Sequence, residues 1–144
     1  MAMQKQIVST EGYQVPSPGF TQAVSVERPG KFLFVSGVTA RTEDGDIAAP
    51  GDAAGQTRRV LNNLSEILLA AGGSLDDLVH TVTYLTDMDD LDAVQAVKTE
   101  TFKGIPPAST TVQVTRLVDE RQLVEIEAIA VIPASGQEPQ GGFA

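Results

Sequence analysis

The period of apolar positions changes several times along the chain. Residues 5–9 (Lys-Gln-Ile-Val-Ser) suit a short strand, and "GYQVPSPGF" at 12–20 reads as a loop from its prolines and glycines. Ala23–Glu27 reads as a strand, "RPGK" as the turn after it, and "KFLFVSGV" as the second strand of a hairpin, apolar on both faces. A polar loop, "ARTEDGDIAAPGD", follows. Ala53, Val60, Leu61, Leu64, Ile67, Leu68 and Ala71 then recur at three- and four-residue spacing, which predicts a helix from Asp52 to Ala71 with those residues inward. Asp52 can cap its start and Gly72-Gly73 can end it.

Val79–Thr86 is β-branched and aromatic, a further strand. "TDMDDLD" places carboxylates at the start of a second helix, where the macrodipole favours them. Its buried stripe is Leu91, Val94 and Val97, with Phe102 near the end, and Gly104 and Pro106-Pro107 stop it. Two strands close the pattern, about 109–116 and 123–132, joined by "LVDERQ". In the last, Val124, Ile126, Ala128, Ala130 and Ile132 form one apolar face, while the other runs from Glu125 and Glu127 to Ile129 and Val131.

The order β-β-β-α-β-α-β-β predicts an α+β domain over residues 1–132, its two helices covering one face of a sheet. Residues 133–144 read as a flexible tail. Several strands are apolar on both faces, so the second face also needs cover. No further helix is predicted, and other copies of the chain in a closed symmetric oligomer are the economical answer. Small-ligand clefts then fall between subunits.

Composition narrows the chemistry. At 144 residues the chain suits one domain, and 42% apolar residues can build one core. Without cysteine, thiol catalysis, disulfides and thiolate metal sites are excluded. The single histidine, His80, leaves no usual zinc ligand set; in its strand it reads as structural, and no metal site is expected. A net charge of −9 repels a phosphate backbone, and Arg58-Arg59 is a lone basic pair on a helix, so nucleic acid is not an expected ligand. No charged-then-apolar leader and no apolar run near about 18 residues are seen, so a soluble cytoplasmic protein off the membrane is expected.

Within "IPPASTTVQVTRL" (105–117), alternation places Ser109, Thr111, Gln113 and Thr115 on one face. Hairpin pairing of the last two strands would bring Glu127 near Thr111–Gln113. A carboxylate on the face of Ile129 and Val131 is costly unless paired or watered, which singles out Glu127; the alternative is a solvated strand end beside Glu125.

"PPASTTVQVTRL…LVEIEAIAV", "FVSG" at 34–37 and "QTRRVLNNLSEILLAAGGSLDDLV" resemble the YjgF or Rid family of reactive-intermediate (enamine/imine) deaminases, also known as perchloric-acid-soluble proteins and translation-inhibitor ribonucleases. The resemblance spans roughly residues 5–132. It implies a chorismate-mutase-like fold, a homotrimer whose sheets form a central barrel, and clefts at the interfaces. It also implies cofactor-free hydrolysis of small enamine or imine acids such as 2-aminoacrylate.

The resemblance further implies site residues. Glu127 matches a glutamate that helps hold the attacking water, and Ser36 and Gly37 match a serine-glycine pair, Gly37 offering its N–H. Phe20 stands where an early loop tyrosine lines the cleft, Thr111 where the family has cysteine, and Gln95 where it has asparagine. Ser109 stands where the family's arginine grips the substrate carboxylate. A guanidinium fork makes two charge-assisted bonds, each about 1.5–3 kcal/mol, against about 1 kcal/mol for the neutral bond serine offers. The expected activity is therefore enamine/imine deamination with altered substrate recognition, Arg41, Arg116 and Arg121 being candidates for a replacement cation. A non-catalytic small-ligand-binding or regulatory protein on the same fold is the alternative.

Overall fold

A computed structural model describes residues 3–13, 21–28, 30–134 and 140–141. It is an α+β fold with β1 (Gln4–Val8), β2 (Ala23–Glu27), β3 (Lys31–Val38), α1 (Ala53–Ala70), β4 (Leu78–Leu85), α2 (Leu91–Thr101), β5 (Ala108–Gln113), β6 (Val124–Ile132) and β7 (Gln140–Gly141). The predicted order is present, with the short β7 added from beyond residue 132. No helix among the described residues is long and apolar enough to cross a membrane.

Helix α1 begins and ends as its sequence dictates. The Asp52 carboxylate accepts from the Gly55 N–H at 2.9 Å, filling one orphan donor of the first turn. At the other end Gly72 takes φ +87°, and the Gly73 N–H returns to the Leu68 carbonyl at 2.8 Å. Val60, Leu61, Leu64 and Leu68 are buried, but Ile67 is 40% exposed, because it lies off the stripe that touches the sheet. Before α2 the Asp87 carboxylate caps a 3₁₀ turn through the Asp89 N–H, so the acidic run does open the helix.

Two sheets form where one was expected. Strands β2-β1-β7 make one, and β3-β6-β4-β5 the other. The predicted β2–β3 hairpin is absent: β2 pairs antiparallel with β1, and β3 pairs antiparallel with β6. Gly30 lies so close to β6 that a Cβ there would sit 2.0 Å from the Ile132 carbonyl oxygen, so the chain enters β3 against β6. The expected β5–β6 hairpin is also absent. The β4–α2–β5 crossover sets β5 parallel to β4 on its outer side, and β6 takes the other side of β4, antiparallel.

One face of the four-stranded sheet carries the core. Val35, Val38, Leu78, Leu85 and Val124, Ile126, Ala128 and Ala130 of β6 meet Leu64 and Leu68 of α1 and Val94 and Val97 of α2. Among the described residues no helix lies on the other face. There Phe32 is 54% and Phe34 74% exposed, and Val112 is also exposed.

Candidate functional site

Register decides which polar side chains meet on the uncovered face. Glu127 of β6 lies opposite Val82 of β4. Two residues on, the Tyr84 hydroxyl donates to Glu127 Oε1. That bond to an anionic acceptor, aided by partial burial and the charges of Glu127 and Glu125, holds the Tyr84 phenol above its ordinary pKa. Glu127 is thus a half-buried carboxylate with a phenol partner, which is the condition its strand position required.

A β-bulge brings a third strand in. Val35 pairs with Ala128 and Val38 with Ile126, so Ser36 and Gly37 together oppose Glu127. Gly37 also makes room for a second carboxylate, since a Cβ there would fall 2.3 Å from Glu125 Oε1. Ser36, Gly37, Glu125, Glu127 and Tyr84 therefore form one cluster, beside the exposed Phe34. It offers a proton acceptor, a phenol donor and a hydroxyl, in reach of solvent or of a second molecule.

The Ser109 and Thr111 hydroxyls of β5 belong to the opposite face, whereas Thr110, in register with Val82, shares the face of Glu127. Ser109 pairs in register with Thr81, and Thr111 with Thr83, both buried on the helix side. The Thr81 hydroxyl donates to Ser109 Oγ at 3.1 Å. Lys98 of α2, 2% exposed, donates from Nζ to Thr83 Oγ1. Burial lowers its pKa to about 8, with no carboxylate to offset the desolvation. Gln95, half-buried, stands one turn before Lys98. Within one chain, then, Glu127 does not approach Ser109 or Thr111, because β4 lies between their strands and their side chains point to opposite faces. Phe20 lies outside the described residues; its neighbour Thr21 bridges to Ala108, next to Ser109.

None of the three arginines expected as replacement cations is engaged at Ser109. Arg121 is held by Asp46 at 2.7 Å and Asp119 at 2.8 Å. Arg41 donates to the Gly45 carbonyl, and Arg116 to the Leu117 carbonyl. A buried cation on that side of the sheet is Lys98, which its residue type alone did not single out. Its spacing four residues after Val94 was the available signal, since it puts a charge on the buried stripe. Tyr84 was passed over too; only the β4–β6 register reveals its partner.

The sequence profile of the family described as Endoribonuclease L-PSP matches residues 14–132. A RutC family protein of Pyrococcus horikoshii is 39% identical over 127 residues, covering 88% of this chain and 97% of that one. The 3-aminoacrylate deaminase RutC of Acinetobacter baylyi is 37% identical over 128 residues, covering 89% and 98%. Among solved structures, YyfB of Yersinia pestis, a protein of unknown function in the conserved Rid family, superposes with a TM-score of 0.80 at 31% identity, covering 89% of this chain and 98% of that one. Rv2704 of Mycobacterium tuberculosis, a YjgF/YER057c/UK114 family member, gives 0.63 at 32% identity, with 89% and 99% covered.

Proposed function

The chain belongs to the YjgF/Rid family, the endoribonuclease L-PSP group, and on that premise we propose that it hydrolyses a small enamine or imine and releases ammonia. The observation that carries this reading is the Tyr84–Glu127 pair set opposite the Ser36–Gly37 bulge on the uncovered sheet face. After an enamine takes a proton from solvent at its carbon, water adds to the resulting iminium carbon while Glu127 takes one water proton. Glu127 passes that proton to the amine nitrogen. Glu127, again a carboxylate, takes the carbinolamine hydroxyl proton as the C–N bond breaks and releases it to solvent, leaving a carbonyl and ammonia. No cofactor takes part in these steps.

The working unit in this proposal is a homotrimer, soluble in the cytoplasm. Exposed Phe32, Phe34 and Val112 support the packing of copies through the uncovered face. An interface would also join what one chain keeps apart, the Glu127 cluster of one copy with Ser109 and Thr111 of the next. Ser109, bound to Thr81, offers a substrate a neutral hydroxyl, so recognition of an α-carboxylate is altered. The same hydroxyl favours the second reading, a non-catalytic ligand-binding protein on this fold.

Ammonia release from freshly generated 2-aminoacrylate and 2-iminobutyrate separates the two. Turnover abolished by Glu127→Ala supports the deaminase, and Ser109→Arg should then improve it on these acids. Absence of turnover in both the native protein and Ser109→Arg refutes the deaminase reading. A monomer in size-exclusion chromatography refutes the interfacial site.

A further inference from the structure

Arg41 and Arg59 are taken up by neither the core nor the Glu127 cluster. Both line a groove of about 530 Å³ between the loop after β3 and the solvent side of α1, across the helix layer from Glu127. Its wall also carries Thr42, Glu43, Glu66 and Ile67. The floor is pinned, since the Asn63 amide donates to the Thr39 carbonyl at 3.0 Å and the Arg41 carbonyl at 2.8 Å.

Among the described residues two buried side-chain polar atoms lack a hydrogen-bond partner, Thr42 Oγ1 and Arg59 Nε, and both belong to residues lining this groove. An unsatisfied buried donor costs about 1–3 kcal/mol, so two beside one hollow are unusual. The groove's opposite charges also remain apart. The ion pairs found among the described residues all belong to Arg121, so Arg41 and Arg59 pair with neither Glu43 nor Glu66. Ile67, 40% exposed, adds an apolar patch.

We infer that this groove binds a free α-amino acid with a small aliphatic side chain. A planar carboxylate accepts from the Arg59 guanidinium and the Thr42 hydroxyl, with Arg41 adding charge. The ammonium faces Glu43 and Glu66, and the aliphatic side chain lies on Ile67. A simple anion would meet the repulsion of both glutamates, and a simple amine that of both arginines. The size falls within the range of small-ligand pockets.

The test is a ¹⁵N-NMR titration of the full chain with L-leucine, 4-methylpentanoate and 3-methylbutylamine, following the amides of residues 41–43 and 59–67. L-Leucine should shift these amides saturably, at least about tenfold tighter than either half-molecule. Thr42→Val and Arg59→Met should each weaken leucine binding by about tenfold, and Glu66→Gln should weaken leucine while strengthening 4-methylpentanoate. Glu66 is exposed, so that variant keeps the test open should Arg59→Met fail to fold. No saturable shift, equal binding of leucine and 4-methylpentanoate, or indifference to the substitutions would overturn the inference.

Discussion

Lys98→Met is expected to stabilise the protein while removing a hydrogen bond. The ammonium is 2% exposed, its acceptor is the Thr83 hydroxyl, and burial brings its pKa from 10.5 to about 8. Each pKa unit corresponds to about 1.4 kcal/mol, so holding the proton at pH 7 costs the fold about 3 kcal/mol. The sign follows from proton counting. Between pH 8 and 10.5 the unfolded chain keeps this proton and the native state has lost it, so stability rises with pH across that window. Below pH 8 both states hold the proton and the penalty is fully present. Methionine fills a similar volume without charge, and leaving Thr83 without its donor costs about 1 kcal/mol. The net gain expected at pH 7 is about 1–2 kcal/mol, shrinking to nothing above about pH 9.5. Urea unfolding at pH 7 and 9.5, at one protein concentration so that any association cancels, measures both numbers. A variant less stable than the native protein at pH 7, or a difference that does not change with pH, would refute the reasoning.

The buried Lys5 should respond in the opposite way. Burial lowers its pKa to about 8 as well, but its Nζ donates to the carbonyls of Asp76, Leu78 and Ile105 at 2.8, 2.7 and 3.1 Å, so Lys5→Met strands three acceptors at about 1–3 kcal/mol each, more than the roughly 3 kcal/mol of charge burial it relieves, and should lose about 1–3 kcal/mol by the same assay. Leu64→Ala, at a fully buried position between α1 and the sheet, should cost about 2–5 kcal/mol in urea unfolding. Gly30→Ala forces a methyl against the Ile132 carbonyl, where only backbone can yield, and should lower Tm by several degrees, about 2 kcal/mol or more. Tyr84→Phe removes the donor to Glu127; in the ammonia-release assay it should lower kcat and displace the pH profile, with the urea midpoint little changed.

Local chemistry made much of this chain legible. Carboxylate caps, the paired glycines after α1, the 3.6-residue stripe of leucines and the alternation of β6 act over a few residues, and each appears where it was read. The two expected hairpins failed for a shared reason. Sequence adjacency suggests pairing, but the crossover through α2 and the contact of Gly30 with Ile132 assign β6 to the middle of the sheet. The site residues divided along the same line. Glu127 was legible as a carboxylate on an apolar strand face, and Ser36–Gly37 as a motif; Lys98 showed only through its place on the α2 stripe, four residues after Val94, and Tyr84 not at all, since a phenol gains meaning only from the strand beside it.

By itself, then, the sequence determined the elements, their order and which face of each is apolar, because those depend on spacing along the chain. It also carried the resemblance that names the family. Tertiary structure alone decided that Glu127 meets Tyr84 and the β3 bulge, and that Ser109 meets Thr81 on the far side of the sheet. Strand order and register are set by long-range packing, and a register change of one residue would have exchanged every one of those faces.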